Sequence, residues 1–288
     1  MSQAVEAVRF PETAALHRNQ VRAILALELR KNLFGWPALV IYLLACLPVL
    51  AMCGYVLVAL LVRDARSTLG VDNAGAFGQF YSAWVFRFSV RFVAFFGCVA
   101  VFTNLFRGEI AERSLHYYLL APLRREVLAV GKYLAGVLTT GTVFTGATVV
   151  SYLLLYVPSP RLFESHFLGG PGLSHLAAYA GITWLACLGY GAVFMLVGLV
   201  VKNPVIPAAF VFLWEGINAF LPALLQKVSI IHYLYALSPV PLAVGPLALI
   251  GEPISAWVAV PGLLLVCAAL LGASALMVRR IEIRYGSD

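Results

Sequence analysis

The amino-acid sequence predicts an all-α integral membrane protein with six transmembrane helices and an amphipathic helix ahead of the first. Three observations carry this prediction. The 288 residues are 62% apolar and only 11% charged, against roughly 45–50% and ~25% in soluble chains, so there is too little charge to cover a water-facing surface. The apolar residues gather into runs of about 20, the length that crosses ~30 Å of hydrocarbon. Lys and Arg sit mostly at the ends of those runs, where they meet headgroups and set orientation.

Residues 1–35 form the N-terminal unit. Val21, Leu25, Leu29 and Leu33 recur every four residues with Ile24 beside them, while Arg18, Arg22, Arg30 and Lys31 fall on or beside the other face. This predicts an interfacial helix on the membrane surface, with a plain basic flank of the first span as the alternative. The transmembrane domain covers 36–278. Its expected spans are Trp36–Val62, Trp84–Phe106, Tyr133–Val157, Leu176–Val201, Val205–Leu225 and Trp257–Val278. Only Lys202, Asn203 and Pro204 separate the fourth from the fifth. Their joint length, with Pro204 and Pro207, excludes one continuous helix and predicts a hairpin. Residues 226–255 are apolar but broken by Pro239 and Pro241, as expected of an outer re-entrant segment. Residues 279–288 form a tail.

Fourteen of the 20 Lys and Arg residues fall in 1–35, 107–132, 202 and 279–284. This bias predicts that both termini are cytoplasmic and that the chain resides in the cytoplasmic (inner) membrane. Arg63, Arg66, Arg87 and Arg91 oppose the trend from the first outer segment. The net charge of +7 forms no compact basic patch, which argues against nucleic acid as a partner. The first apolar run starts near Leu33, too late for a signal peptide. Cys46, Cys53, Cys98, Cys187 and Cys267 all lie inside apolar runs without a C-x-x-C pair, and read as small buried hydrophobes. The five histidines are scattered, with no H-E-x-x-H, so no metal site and no catalytic residue is expected.

The segment 107–132 is the most distinctive in the chain. It carries Glu109, Glu112, Arg113, Ser114, Leu115, Leu119, Leu120, Pro122, Arg125, Gly131 and Lys132. Ser114 can cap a short helix, Leu115 and Leu119 share a face, and Pro122 ends it. A short apolar ridge on a charged loop suits docking into a partner's groove.

This run, E-x-x-E-x-S-L-x-x-L-L-x-x-P-x-x-R followed by G-K, resembles the signature of type 2 ATP-binding-cassette (ABC) permeases. Arg113 stands where that family often has glycine. Glu28-Leu29-Arg30 in the basic amphipathic segment is similar to the family's elbow helix, and Ser238-Pro239 before the last span also fits. The resemblance implies a type 2 ABC exporter-like fold and a permease subunit that works as a dimer with separate ATPase subunits. It assigns coupling to Glu109, Glu112, Ser114, Leu115, Leu119, Leu120, Pro122 and Arg125, and the elbow to Glu28 and Arg30. No G-x-x-x-x-G-K-[ST] occurs, so ATP and Mg are expected on the partner and no cofactor on this chain.

Polar residues inside the spans complete the candidates. Glu215 lies near the middle of the fifth span, with Asn218 close on the same side. An ionised carboxylate in hydrocarbon costs at least ~2–3 kcal/mol, so Glu215 must face a path, a partner or a cation, be protonated, or bond to another helix. Arg87 and Arg91, one turn apart, are expected near the outer end of the second span. There they either snorkel to phosphates or line a basic vestibule for an anionic substrate or headgroup. Two other functions stay open at this level. Glu109, Glu112 and His116 share a helical face and would serve an intramembrane hydrolase, and a non-transporting scaffold needs none of these sites.

Overall fold

Five helices long and apolar enough to cross a membrane dominate the computed structural model of the chain, which describes residues 13–62, 73–111, 125–201, 203–240 and 255–280. No strand occurs among the described residues. The protein is a multi-pass helical membrane protein.

Helix α1 (Thr13–Phe34) is separated from α2 (Trp36–Leu61) by Gly35 alone, and Tyr42 of α2 donates to the Leu33 carbonyl at 3.1 Å. Pro37 stands in the first turn of α2, where its missing N–H costs nothing. Helix α3 spans Ala74–Phe106. Asn73 caps it by accepting from the Gly75 and Ala76 amides. A ten-residue stretch of α3, Val85–Ala94, is π-helical. A further helical segment, Asn104–Ala111, carries α3 past its apolar part. Helix α4 (Arg125–Leu154) and α5 (Gly172–Val200) form the centre. The Thr139, Thr140 and Thr148 hydroxyls of α4 donate to the carbonyls four residues back, which satisfies them without water.

Small residues set the packing of the central helices. The Phe102 ring of α3 lies 2.7 Å from where a Cβ at Gly136 of α4 would stand, and 2.6 Å from the same point at Gly191 of α5. Where lipid replaces water, such close packing takes over much of the work of the hydrophobic effect. Helices α2 and α8 (Ala256–Arg280) pack outside this centre. They leave Leu43, Leu50, Leu61, Trp257 and Leu265 exposed, as lipid-facing spans do.

Three spans differ from the expectation, the third running Arg125–Leu154 rather than Tyr133–Val157 because the charged residues Arg125, Glu126 and Lys132 are helical too. The second begins ten residues earlier, at Ala74 rather than Trp84, because Gly75, Gly78, Gln79 and Ser82 dilute its hydropathy while Phe77, Tyr81 and Ser82 are buried. The fifth expected span, 205–225, contains a helix of only 12 residues, α6 (Val205–Gly216), about 18 Å long. A turn of 3₁₀ helix (Asn218–Phe220), a short turn (Ala223–Gln226) and α7 (Ile230–Ala236) follow it.

Candidate functional site

Around the 107–132 loop, Glu109 lies on the helical extension of α3. Glu112, Ser114, Leu115, Leu119, Leu120 and Pro122 fall outside the described residues, as does His116. Arg125 opens α4 and donates from Nη1 to the Arg279 carbonyl at 3.0 Å, and Glu126 pairs with the Arg279 guanidinium. The first turn of α4 and the last turn of α8 are therefore neighbours. Two turns further along α4, Lys132 is fully buried and meets the buried Glu28 of α1 at 2.5 Å. The adjoining Gly131 lets α1 approach, since a Cβ there would lie 3.0 Å from Ile24 Cγ2. Lys132 also sits 5.6 Å from the centroid of the Phe106 ring at the end of α3. One ion pair thus joins α1 to the Gly131-Lys132 pair of α4, while Arg30 on the same helix stays exposed.

A second set of contacts surrounds the break after α6. Glu215 is 6% exposed. Its Oε1 accepts from the Ile230 amide at 3.0 Å, and its Oε2 from the Ile231 amide at 2.9 Å and from the Tyr190 hydroxyl of α5 at 3.3 Å. These amides belong to the first turn of α7 and have no carbonyl partner within that helix. Glu215 therefore holds the end of one helix against the start of the next, and fixes both to α5. Gly189 of α5 makes room, since a Cβ there would lie 2.9 Å from Ile230 Cγ2. Asn218, expected on the helix side of Glu215, stands beyond the end of α6 and donates to the Gln226 carbonyl at 3.4 Å, while Gln226 donates to Leu221 at 2.8 Å. These two amides close the turn between α6 and α7.

The chain then moves along α3 towards its N-terminal end. Tyr235 stacks on Phe86 at 4.8 Å, Ser238 bonds to Ser82 at 2.9 Å, and Val240 lies against Gly78.

Arg87 and Arg91 stand inside the π-helical stretch, near the middle of α3 rather than near an end. Arg87 is exposed and Arg91 half-buried. The Arg91 guanidinium lies 5.2 Å from the centroid of the Phe212 ring of α6, and its Nη2 fills the space that a Cβ at Gly216 would need. Its buried Nε has no hydrogen-bond partner. Among the described residues no carboxylate forms an ion pair with either arginine.

A polar and aromatic cluster passed over in the sequence lies where α3, α4 and α5 meet beyond Leu154. His166 Nδ1 and the Tyr156 hydroxyl are 2.9 Å apart, Tyr156 donates to Tyr152 at 3.0 Å, and Tyr152 donates to the Gly172 carbonyl at 3.0 Å. Phe77 and Tyr81 of α3 pack on these rings. Its histidine was legible only as one of five scattered ones, because spacing does not reveal which loop residue folds back onto a span.

No family model, no curated protein and no solved structure matches this chain. Among the described residues no group of three or more His, Cys, Asp or Glu is placed to hold a metal ion.

Proposed function

We propose that the chain is the permease subunit of an ATP-driven ABC transporter, an exporter, with separate ATPase subunits docked on the 107–132 loop and a second permease copy completing the path. The carrying observation is the Glu28–Lys132 ion pair. It links two segments that the sequence resemblance names separately, and it ties the surface helix α1 to the helix that leaves the loop. A push on that loop would then move α1, α4 and the end of α8 together. Without a phosphate-binding motif in its 288 residues, the chain leaves ATP binding and hydrolysis to its partner.

Helix parity supports a sixth crossing. The start of α2 follows α1, which is seated at the first turns of α4, and the end of α8 lies there too. A chain that starts and ends on one side crosses an even number of times, and five long spans are an odd number. Segment 205–240 supplies the remaining crossing as a broken span, α6 and then α7, with Glu215 at the joint. Discontinuous spans of this kind form where backbone is covered by protein or lines a water-filled cavity. The short 3₁₀ and helical turns between α6 and α7 expose Phe220, Leu224 and Val228, which supports cover by a second copy. With the positive-inside bias, both termini face the cytoplasm of an inner-membrane protein.

Co-purification tests this reading. Expressed with its cognate ATPase, the chain should elute as a complex with two copies of each subunit and ATPase activity. Leu119→Asp should release the ATPase and leave the permease folded. A permease that captures no ATPase under any nucleotide condition would refute it.

A further inference from the structure

Arg91 stands at the middle of α3, far from the helix ends where headgroups lie. Arg91 is 17 residues from Ala74 and 15 from Phe106, or about 25 Å and about 22 Å along the helix. Half of the hydrocarbon is about 15 Å thick. The contacts of Arg91 give the same depth independently. Its guanidinium packs on Phe212 and Gly216, beside the joint of α6 and α7, and Gly216 is 11 residues, about 16 Å, from the start of α6. The guanidinium is held against α6 between Phe212 and Gly216. Snorkelling therefore does not account for Arg91.

Charge does not balance here. Glu215 is the nearest carboxylate on the packed elements, and its oxygens already accept from Ile230, Ile231 and Tyr190. With no described carboxylate paired to either guanidinium, the two arginines carry a net positive charge. Donors are in surplus too. The buried Arg91 Nε is unused, Arg87 is exposed one turn away, and Tyr235 of α7 stacks at 4.8 Å on Phe86, the residue before Arg87. Both arginines lie on the stretch where α3 leaves regular α geometry, and such π-helical turns recur at functional sites.

We propose that Arg87, Arg91 and Tyr235 form a binding site for a phosphate group carried by the transported molecule, placed at the middle of the membrane. A planar carboxylate is satisfied by a single guanidinium fork. Two forks and a hydroxyl match the three or four oxygens of a tetrahedral phosphate, and its charge offsets the surplus. The shared chemistry admits a lipid phosphate or a water-soluble one. The site rests on the permease reading only in calling its ligand a substrate.

The test uses the purified full-length chain in a neutral maltoside detergent, without any ATPase. Dodecyl phosphate and inorganic phosphate are titrated separately, and binding is read from tryptophan fluorescence, with Trp84 on α3 and Trp214 on α6, the helix that packs on Arg91. Saturable binding of at least one probe is expected, weakened about tenfold or more by Arg91→Gln and by Arg87→Gln, as loss of a charge-assisted hydrogen bond requires. Dodecyl phosphate alone would identify a lipid-like source, and binding of inorganic phosphate a soluble one. Absence of saturable binding, binding unchanged in both variants, or dodecanoate bound as tightly as dodecyl phosphate would overturn the proposal. Arg87 is exposed, so Arg87→Gln decides the matter if Arg91→Gln does not fold. A failed ATPase co-purification would overturn the permease reading and leave this result standing.

Discussion

Removing the ammonium of Lys132 should unseat α1. Lys132 is 0% exposed and Glu28 is 1% exposed, 2.5 Å apart. Lys132→Met keeps most of the side-chain volume but strands the Glu28 carboxylate in the packed interface of α1 and α4. Breaking a buried pair from one side costs about 3–5 kcal/mol. At about 1.4 kcal/mol per tenfold, the undocked population of α1 should rise by a factor of roughly 10² to several times 10³. Global stability limits the effect less than local release does, because α1 has buried Ile24 and Asn32 to lose but is no part of the α3–α4–α5 centre.

The assay is limited trypsin digestion in detergent micelles, following cleavage after Arg22, Arg30 and Lys31, with thermal unfolding alongside. Lys132→Met should be cut faster there by about two orders of magnitude, the scale of the undocked population when opening is faster than cleavage. The pair Glu28→Met with Lys132→Met should return to within about 1 kcal/mol of the parent, since apolar replacement of a buried ion pair is often neutral. If the single variant is cut no faster than the parent, or the double variant shows no recovery, the ion pair is not what seats α1.

Further predictions follow from the other contacts. Glu215→Ala leaves the Ile230 and Ile231 amides and the Tyr190 hydroxyl unpaired in an apolar setting, at about 1–3 kcal/mol for each group left buried. Its melting temperature should drop well below that of Glu215→Gln, which keeps one acceptor, and equal melting of the two would remove the capping role. Gly191→Val should destabilise by driving a side chain into Phe102, by about 1–3 kcal/mol as overpacking does, and Phe102→Leu should recover part of the loss on the same melting curve. Burial, and then the charge of His175, holds His166 below the ordinary histidine range. Folding therefore favours the neutral ring. Its stabilising contribution is complete above about pH 6.5, the unfolded value, and is lost as pH falls through the lower folded value. Melting temperature in detergent should fall between pH 7 and 5, with a shallower slope in His166→Gln.

Much of the fold was legible as apolar runs. Trp36–Leu61, Gly172–Val200 and Ala256–Arg280 lie within a few residues of the expected spans, because an 18-residue stretch without charge has few places to go but the bilayer. The second span was read ten residues too short. Ser82 and Gly78 look like loop residues until Ser238 and Val240 are seen against them. The fifth was read as one helix because Ile217–Leu225 is apolar enough to cross. Its break shows only when the amides of Ile230 and Ile231 arrive to be capped by Glu215.

By itself, the sequence determined that this chain is a multi-pass membrane protein, that it contains no G-x-x-x-x-G-K-[ST] phosphate loop, and that its charge gathers in segments such as 107–132 between apolar runs. Those properties follow from composition and local spacing, which need no knowledge of neighbours. Tertiary structure alone decided that Glu28 belongs to Lys132, that Glu215 belongs to the start of α7, and that Arg91 lies far from both ends of its helix. A buried charge is defined by what surrounds it, and residues 104 positions apart become partners only when the chain has packed.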